Sequence, residues 1–398
     1  MMPVFELRSP LSAEERLEKR RLIVRDVTTL LSLFAITAIL ATLTWLLFNS
    51  FSTHRADLAQ RWLQRGRAAM ATGHPEQAVQ ALRSALEYQP DQRQTEIELA
   101  TALAAAGQDT EATAYFNTLL EAEPGSGLIN LELARLVAKQ GHEAQAVESY
   151  QRALDGTWQG DGYLRRLSVR LELVRYLLGQ HDAARARNHL LIASGNAPDE
   201  PNIKLEIAGL LEQAQDPLSA FDIYRKVALG KPDHLEALEG AGRTAAALGH
   251  YLLAREYLTR ALEDPALETR PTAMRDAVRD TLAEAVHLLA LYPGPELSAR
   301  ARAERILHDA GVARERFTAC TADIPSSKTP VPADIAGRWQ TVPAKLTARG
   351  LEIDPELEQT LMTLVYDTEK VTAQSCGKPT GEDALLLQIA QAPWAVEQ

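Results

Sequence analysis

The chain has 398 residues, 46% of them apolar, with a formal net charge of −11 and two cysteines. That apolar content excludes wholesale disorder, and the cysteine count excludes both a disulfide-dense scaffold and a cysteine zinc site. Residues 1–26 hold six basic and five acidic side chains, leaving 36 basic against 48 acidic beyond them, so the body of the chain repels phosphate and no nucleic-acid partner is expected.

The first element is apolar. Val27 to Phe48 is a run of 22 residues without a charge, about 33 Å long as a helix and enough to cross a bilayer. A transmembrane helix is predicted over 27–49, after a basic N-terminal segment, 1–26. The run is too long, and its leader too extended, for a cleaved signal peptide. Arg16, Lys19, Arg20, Arg21 and Arg25 precede it, with Arg8 further out, against Arg55, Arg61, Arg65 and Arg67 after it. That bias predicts a single-pass protein of a bacterial inner membrane, with a cytoplasmic N-terminus and an extracytoplasmic body.

A skeleton then recurs. Gly73, Ala78, Leu82, Ala85 and Pro90 sit at the same offsets as Gly107, Ala112, Phe116, Leu119 and Pro124. The alanine continues as Ala146, Ala184, Ala220 and Ala254, at spacings of 34, 34, 38, 36 and 34. Gly73, Gly107, Gly141, Gly179 and Gly249 lie five positions before it, where a left-handed residue closes a helix. Gly66, Ala100, Ala134, Ala208 and Gly242 lie twelve before it, and Leu82, Phe116, Tyr150, Tyr224 and Leu258 four after. Such a period marks stacked helix pairs. The small residues let the paired helices approach, and the large ones are expected to fill the gap to the next unit. The fourth unit departs, with Glu172 at the small position and Asn188 at the large one. Ahead of it "DGTWQGDGY", 155–163, reads either as a longer loop with a slipped register or as a projection offering Trp158 and Tyr163 to a partner.

These units resemble tetratricopeptide repeats over residues 59–266. Trp62, Gly66, Gly73, Ala78, Ala85 and Pro90 stand at the family's signature positions, with Arg65 in place of the usual leucine. The resemblance implies an α-solenoid of about six to seven helix pairs; with the apolar run before it and the patterns after it, the whole chain is expected to be all-α, with one transmembrane helix, the solenoid and a small helical C-terminal element. It also implies a concave groove lined by first helices that binds extended or helical protein segments. Leu63, Arg67, Met70, Leu131, Arg135, Lys139, Arg166, Val169 and Arg243 fall on that lining. Basic and apolar groups together on an acidic protein suggest a partner segment with hydrophobic and acidic residues. The carboxylate clamp of some relatives is not reproduced, because Leu63 and Leu128 stand where lysines are needed.

Beyond the repeats, Pro271 to Tyr292 and Glu296 to Ala310 read as a degenerate repeat or cap within 271–322. Residues 323–334, with three prolines and two serines, read as a linker. Residues 335–398 then hold a long helix, Pro355 to Ser375, with Leu357, Leu361, Leu364 and Val365 on one face, and a short one, Asp383 to Ala392.

Chemistry is sparse. Gly-His pairs at His74, His142 and His250 occupy the turn between paired helices, in repeats too far apart to share one metal ion. "GKPTGED", 377–383, lacks the spacing and the hydroxyl of a phosphate loop. No cofactor or metal is expected, and no enzymatic activity. The expected function is a membrane-anchored scaffold that recruits protein partners at the cell envelope. A cytoplasm-facing adaptor and an enzyme housed in the tail are the alternatives. In an oxidising compartment Cys320 and Cys376 are expected to pair, pinning the tail to the end of the solenoid.

Overall fold

The computed structural model describes residues 13–322, 333–343 and 345–392. The linker expected at 323–334 falls almost wholly outside them. Every regular element among the described residues is helical, apart from one isolated bridge between Ser126 and Thr157. The chain divides into two compact units, 1–159 and 160–398.

The first unit contains α1 (Ala13–Ala71), α2 (Pro75–Tyr88), α3 (Arg93–Ala105), α4 (Asp109–Ala122), α5 (Gly127–Lys139) and α6 (Glu143–Asp155). The apolar run and the first repeat helix are therefore one helix of 59 residues. Every residue from Arg16 to His54 is exposed, including Phe34 and Phe48, whereas Ala59 and Leu63 are buried against the unit. No described residue covers the apolar run.

The second unit continues with α7 (Gly162–Gly179), α8 (Ala183–Asn196), α9 (Pro201–Gln213), α10 (Pro217–Gly230), α11 (Leu235–Ala247) and α12 (Tyr251–Glu263). Then come α13 (Thr272–Leu291), α14 (Ala299–Ala322), α15 (Ala333–Thr341), α16 (Ala348–Ile353), α17 (Pro355–Cys376) and α18 (Glu382–Gln391).

The turn between paired helices is left-handed in every repeat, but glycine does not always supply it. Gly73, Gly107, Gly141 and Gly249 have φ of 74°, 76°, 80° and 81°, and His181 and Gln215 take the same conformation at 61° and 60°. Gly179 does not. It is the last residue of α7, and the turn comes two residues later at His181. The marker of the fourth repeat is accordingly Ala186, fully buried, and not Ala184, which is exposed. In that frame Val174 replaces Glu172 at the position twelve before, and Leu190 replaces Asn188 four after; both are buried. The spacings become 34, 34, 40, 34 and 34, so one insertion of six residues accounts for the whole irregularity.

The small and large positions meet within a repeat. A Cβ on Gly66 would lie 2.7 Å from Leu82 Cγ, and one on Gly242 2.5 Å from Leu258 Cγ. The large side chain thus seats on the small residue of its own first helix. Tyr224 differs, packing on Gly240 of the next repeat as the sequence pattern suggests.

The inserted loop does not project at Trp158. The Gly127 N–H donates to the Thr157 carbonyl at 2.9 Å, and the Thr157 N–H to the Gly125 carbonyl at 2.8 Å. These bonds lay the Trp158 ring over Gly127, where its Nε1 donates to the Ala153 carbonyl at 2.9 Å. A Cβ on Gly127 would come within 2.3 Å of the ring. Gly127→Ala should therefore displace the indole and cost about 1–3 kcal/mol as overpacking. Thermal unfolding checks this against Gly125→Ala, where a Cβ meets nothing within 4 Å.

The tail joins the end of the repeats. Tyr251, Leu288, Leu291, Ile306, Trp339, Leu351, Leu361, Val365 and Leu386 belong to one buried cluster drawn from α12 to α18. Arg302 to Glu358 at 2.6 Å and Arg316 to Thr372 at 2.9 Å are both contacts between residues 56 apart. Cys320 and Cys376 form a disulfide at that same separation, with their Cα atoms 5.7 Å apart. A constant offset means that α14 and α17 run parallel in fixed register.

Candidate protein-binding groove

In the first unit a cleft of about 380 Å³ opens between α1, α3 and α5. Met70, Ile97 and Leu128 supply apolar surface, Gly66 and Leu82 the base, and Gln94, Glu98, Thr101 and Glu132 polar groups, with Arg67 at one wall. Small residues set its depth, because Gly66 lets α1 sit down on Leu82. Of the residues expected to line a groove, Arg67 and Met70 do so here. Leu63 and Leu131 are buried in the core instead.

The cations of the first helices are committed. Arg67 grips Glu98 with two bonds, Nε to Oε2 at 2.9 Å and Nη2 to Oε1 at 2.7 Å. The Glu98 carboxylate holds the guanidinium proton above the ordinary arginine value, against a smaller opposing effect of burial. Arg135 pairs with Glu132 at 2.7 Å, and Lys139 Nζ donates to the Ala104 carbonyl at 2.8 Å, with Asp109 3.9 Å away. The expected basic lining is thus charge-balanced, since each cation meets a carboxylate or carbonyl of its own helix or the neighbouring repeat.

The second unit repeats the arrangement. Arg243 bonds Glu212 through Nε at 2.8 Å and Nη2 at 2.7 Å, and the Tyr224 hydroxyl donates to the same carboxylate at 2.8 Å. Burial, then the charge of Glu212, raise the Tyr224 pKa. Arg175 is paired with Glu206. Val169 is buried; Arg166 is exposed but engaged. Tyr163 is 49% exposed on the first turn of α7, while Trp158 is held down as described. Among the described residues no group of three or more histidine, cysteine or acidic side chains is placed to hold a metal ion.

A family profile described as tetratricopeptide repeat matches residues 63–127, 97–161 and 171–234. The chain carries tetratricopeptide repeats. Solved structures of similar fold include the pilF product of Pseudomonas aeruginosa, 21% identical, covering 52% of this chain and 91% of that one with a TM-score of 0.37. PilW, described as a widely conserved type IV pilus biogenesis factor, is 18% identical over 51% of this chain and 91% of its own, with a TM-score of 0.36. The C-terminal part of a repeat protein from Cytophaga hutchinsonii is 16% identical over 62% and 94%, with a TM-score of 0.42. No curated protein matches the sequence.

In the frame of the tetratricopeptide repeats the ion pairs follow a rule that the sequence reading missed. Glu98, Glu132, Glu172 and Glu206 all lie fourteen residues before a buried marker alanine, and Arg67, Arg135, Arg175 and Arg243 eleven before. Arg67 to Glu98 and Arg175 to Glu206 are both separated by 31 residues, one repeat less three. The signal is a glutamate and an arginine one turn apart at the repeat period, which the fourth repeat joins once Ala186 replaces Ala184 as the marker; Arg135, bonded to Glu132 of its own helix, and Arg243, bonded to Glu212 of the preceding repeat, depart from that pairing. His74, His142 and His250 are the N-cap residues of α2, α6 and α12.

Proposed function

We propose that the protein is a single-pass membrane scaffold whose repeats hold segments of partner proteins on the extracytoplasmic side of a bacterial inner membrane. The cleft between α1, α3 and α5 supports the binding role: its apolar floor is open while its charges are already matched. Such a surface suits an extended, mainly apolar segment better than an acidic one. The uncovered run of α1 supports the anchor, because apolar side chains exposed on every face of a helix demand lipid. The basic flank before it and the Cys320–Cys376 disulfide support the exported side.

Met70→Asp with Leu128→Asp should weaken partner capture by about tenfold or more, as loss of a buried apolar anchor does, while the melting temperature holds. Arg135→Glu with Lys139→Glu should do less, since neither cation is free to meet a ligand. Crosslinking from native membranes measures both. Equal capture by the Met70/Leu128 variant would place the interface elsewhere. Protease added to intact spheroplasts should degrade the repeats, and full protection until lysis would put them in the cytoplasm.

A further inference from the structure

We infer that the groove of the first unit receives the juxtamembrane segment of a second membrane protein. This rests on the anchor proposed above and on the unbroken course of α1. Gly66, Arg67 and Met70, which form one wall of the cleft, lie on the same helix as the apolar run that ends at Phe48. From Phe48 to Gly66 is 18 residues, so the wall begins no more than about 27 Å from the bilayer core, and closer if the helix tilts.

The connection is a stalk. Residues 50–58, "SFSTHRADL", contain neither glycine nor proline, and all are helical. Arg55 Nη2 donates to the Glu87 carbonyl of α2 at 3.1 Å, and Arg61 pairs with Asp57 at 2.6 Å. The brace ties the stalk to the repeats from Arg55 onward, so only about one and a half turns stand between it and the apolar run. A chain that needed only a tether would be served by a flexible linker, which leaves height and direction open. Here both are set. An extended segment of about eight or nine residues bridges 27 Å, so the occupant that fits leaves its own transmembrane helix and enters the cleft within about ten residues. Confinement of both partners to one membrane raises their effective concentration, which suits a shallow, charge-balanced groove.

The test uses the full chain in its native membrane, with a photo-crosslinking residue at position 128. Seven alanines inserted after Ser52 turn the groove by about 20° and lift it about 10 Å; twenty-one turn it by about 60° and lift it about 32 Å. The unaltered stalk should crosslink to a segment within about ten residues of a partner's span. The twenty-one-residue insertion should reduce that product by about tenfold or more, because the same segment no longer reaches the cleft, whereas the seven-residue insertion should keep it and move its site about three residues further from the span. The insertions lie in exposed helix outside the core, and the seven-residue variant controls for folding. Product unaffected by the twenty-one-residue insertion, or mapped to a protein without a span, overturns the inference while leaving the scaffold reading intact. Release of the protein by alkaline carbonate overturns the anchor and this inference together.

Discussion

Replacing Cys320 and Cys376 together by serine should destabilise the second unit by about 4 kcal/mol, the cost of freeing a loop of about 57 residues in the unfolded chain. The folded state gives no reason for a different outcome. Arg316 still joins the helices without the bridge, donating to Thr372 Oγ1 and to the Gly377 carbonyl, both at 2.9 Å, with Glu369 3.6 Å away. The parallel register of α14 and α17 therefore survives, and the change acts on the unfolded ensemble. Denaturant unfolding with and without reductant measures it. The unaltered chain in reductant should unfold with the double-serine variant, and in oxidant well beyond it. Coincident curves under both conditions would remove the bridge as a source of stability. Two alkylatable thiols in protein taken from the membrane would remove it altogether, and with it a main support for export.

Much of the repeat array was legible because its determinants are local. A left-handed glycine, an alanine five residues later and a small residue twelve before that alanine are required by close helix packing, and Gly66 against Leu82 shows why. The fourth repeat misled for a physical reason. Gly179 and Ala184 have the right spacing, but a histidine at φ 61° forms the turn, and only burial separates Ala186 from Ala184. The site was less legible. Arg67, Arg135 and Arg243 read as free cations because their carboxylates lie on another turn or in another repeat, so the groove's charge balance is a tertiary property. The slipped register was one of two readings open at 155–163; the other, a projection at Trp158, could not be set aside because nothing in a sequence says that Gly127 leaves a seat for an indole. The disulfide lay between these cases: two cysteines suggested the pair, and the 56-residue register that aligns them appears only when α14 lies beside α17.

The stability of the second unit should fall as pH rises from about 5 to 8, and Asp309 and Glu369 should carry the slope. Both carboxyls are fully buried, in α14 and α17, and none of their four oxygens has a hydrogen-bond partner. Burial pushes Asp309 up to about 8, with Glu382 adding slightly and Arg305 opposing. Burial likewise pushes Glu369 up to about 8, with Asp383 adding and Arg316 opposing. In the unfolded chain both titrate near about 4. Between those values the folded unit keeps protons that the unfolded chain releases, so each rise in pH favours unfolding. The limit is about 1.4 kcal/mol per pH unit for each group, reached midway and fading above the folded pKa. Asp309→Asn and Glu369→Gln remove the ionisation while keeping shape, so each should flatten the slope by a similar amount, and the two together should leave only the smaller contributions of Asp383 and Glu239, also raised by burial, and the opposing one of His189, lowered by burial. Melting temperatures across that range decide the matter. Variants that track the unaltered chain at every pH would mean that these acids reach water or a partner in the folded state, and that the core of α14 and α17 is not closed around them.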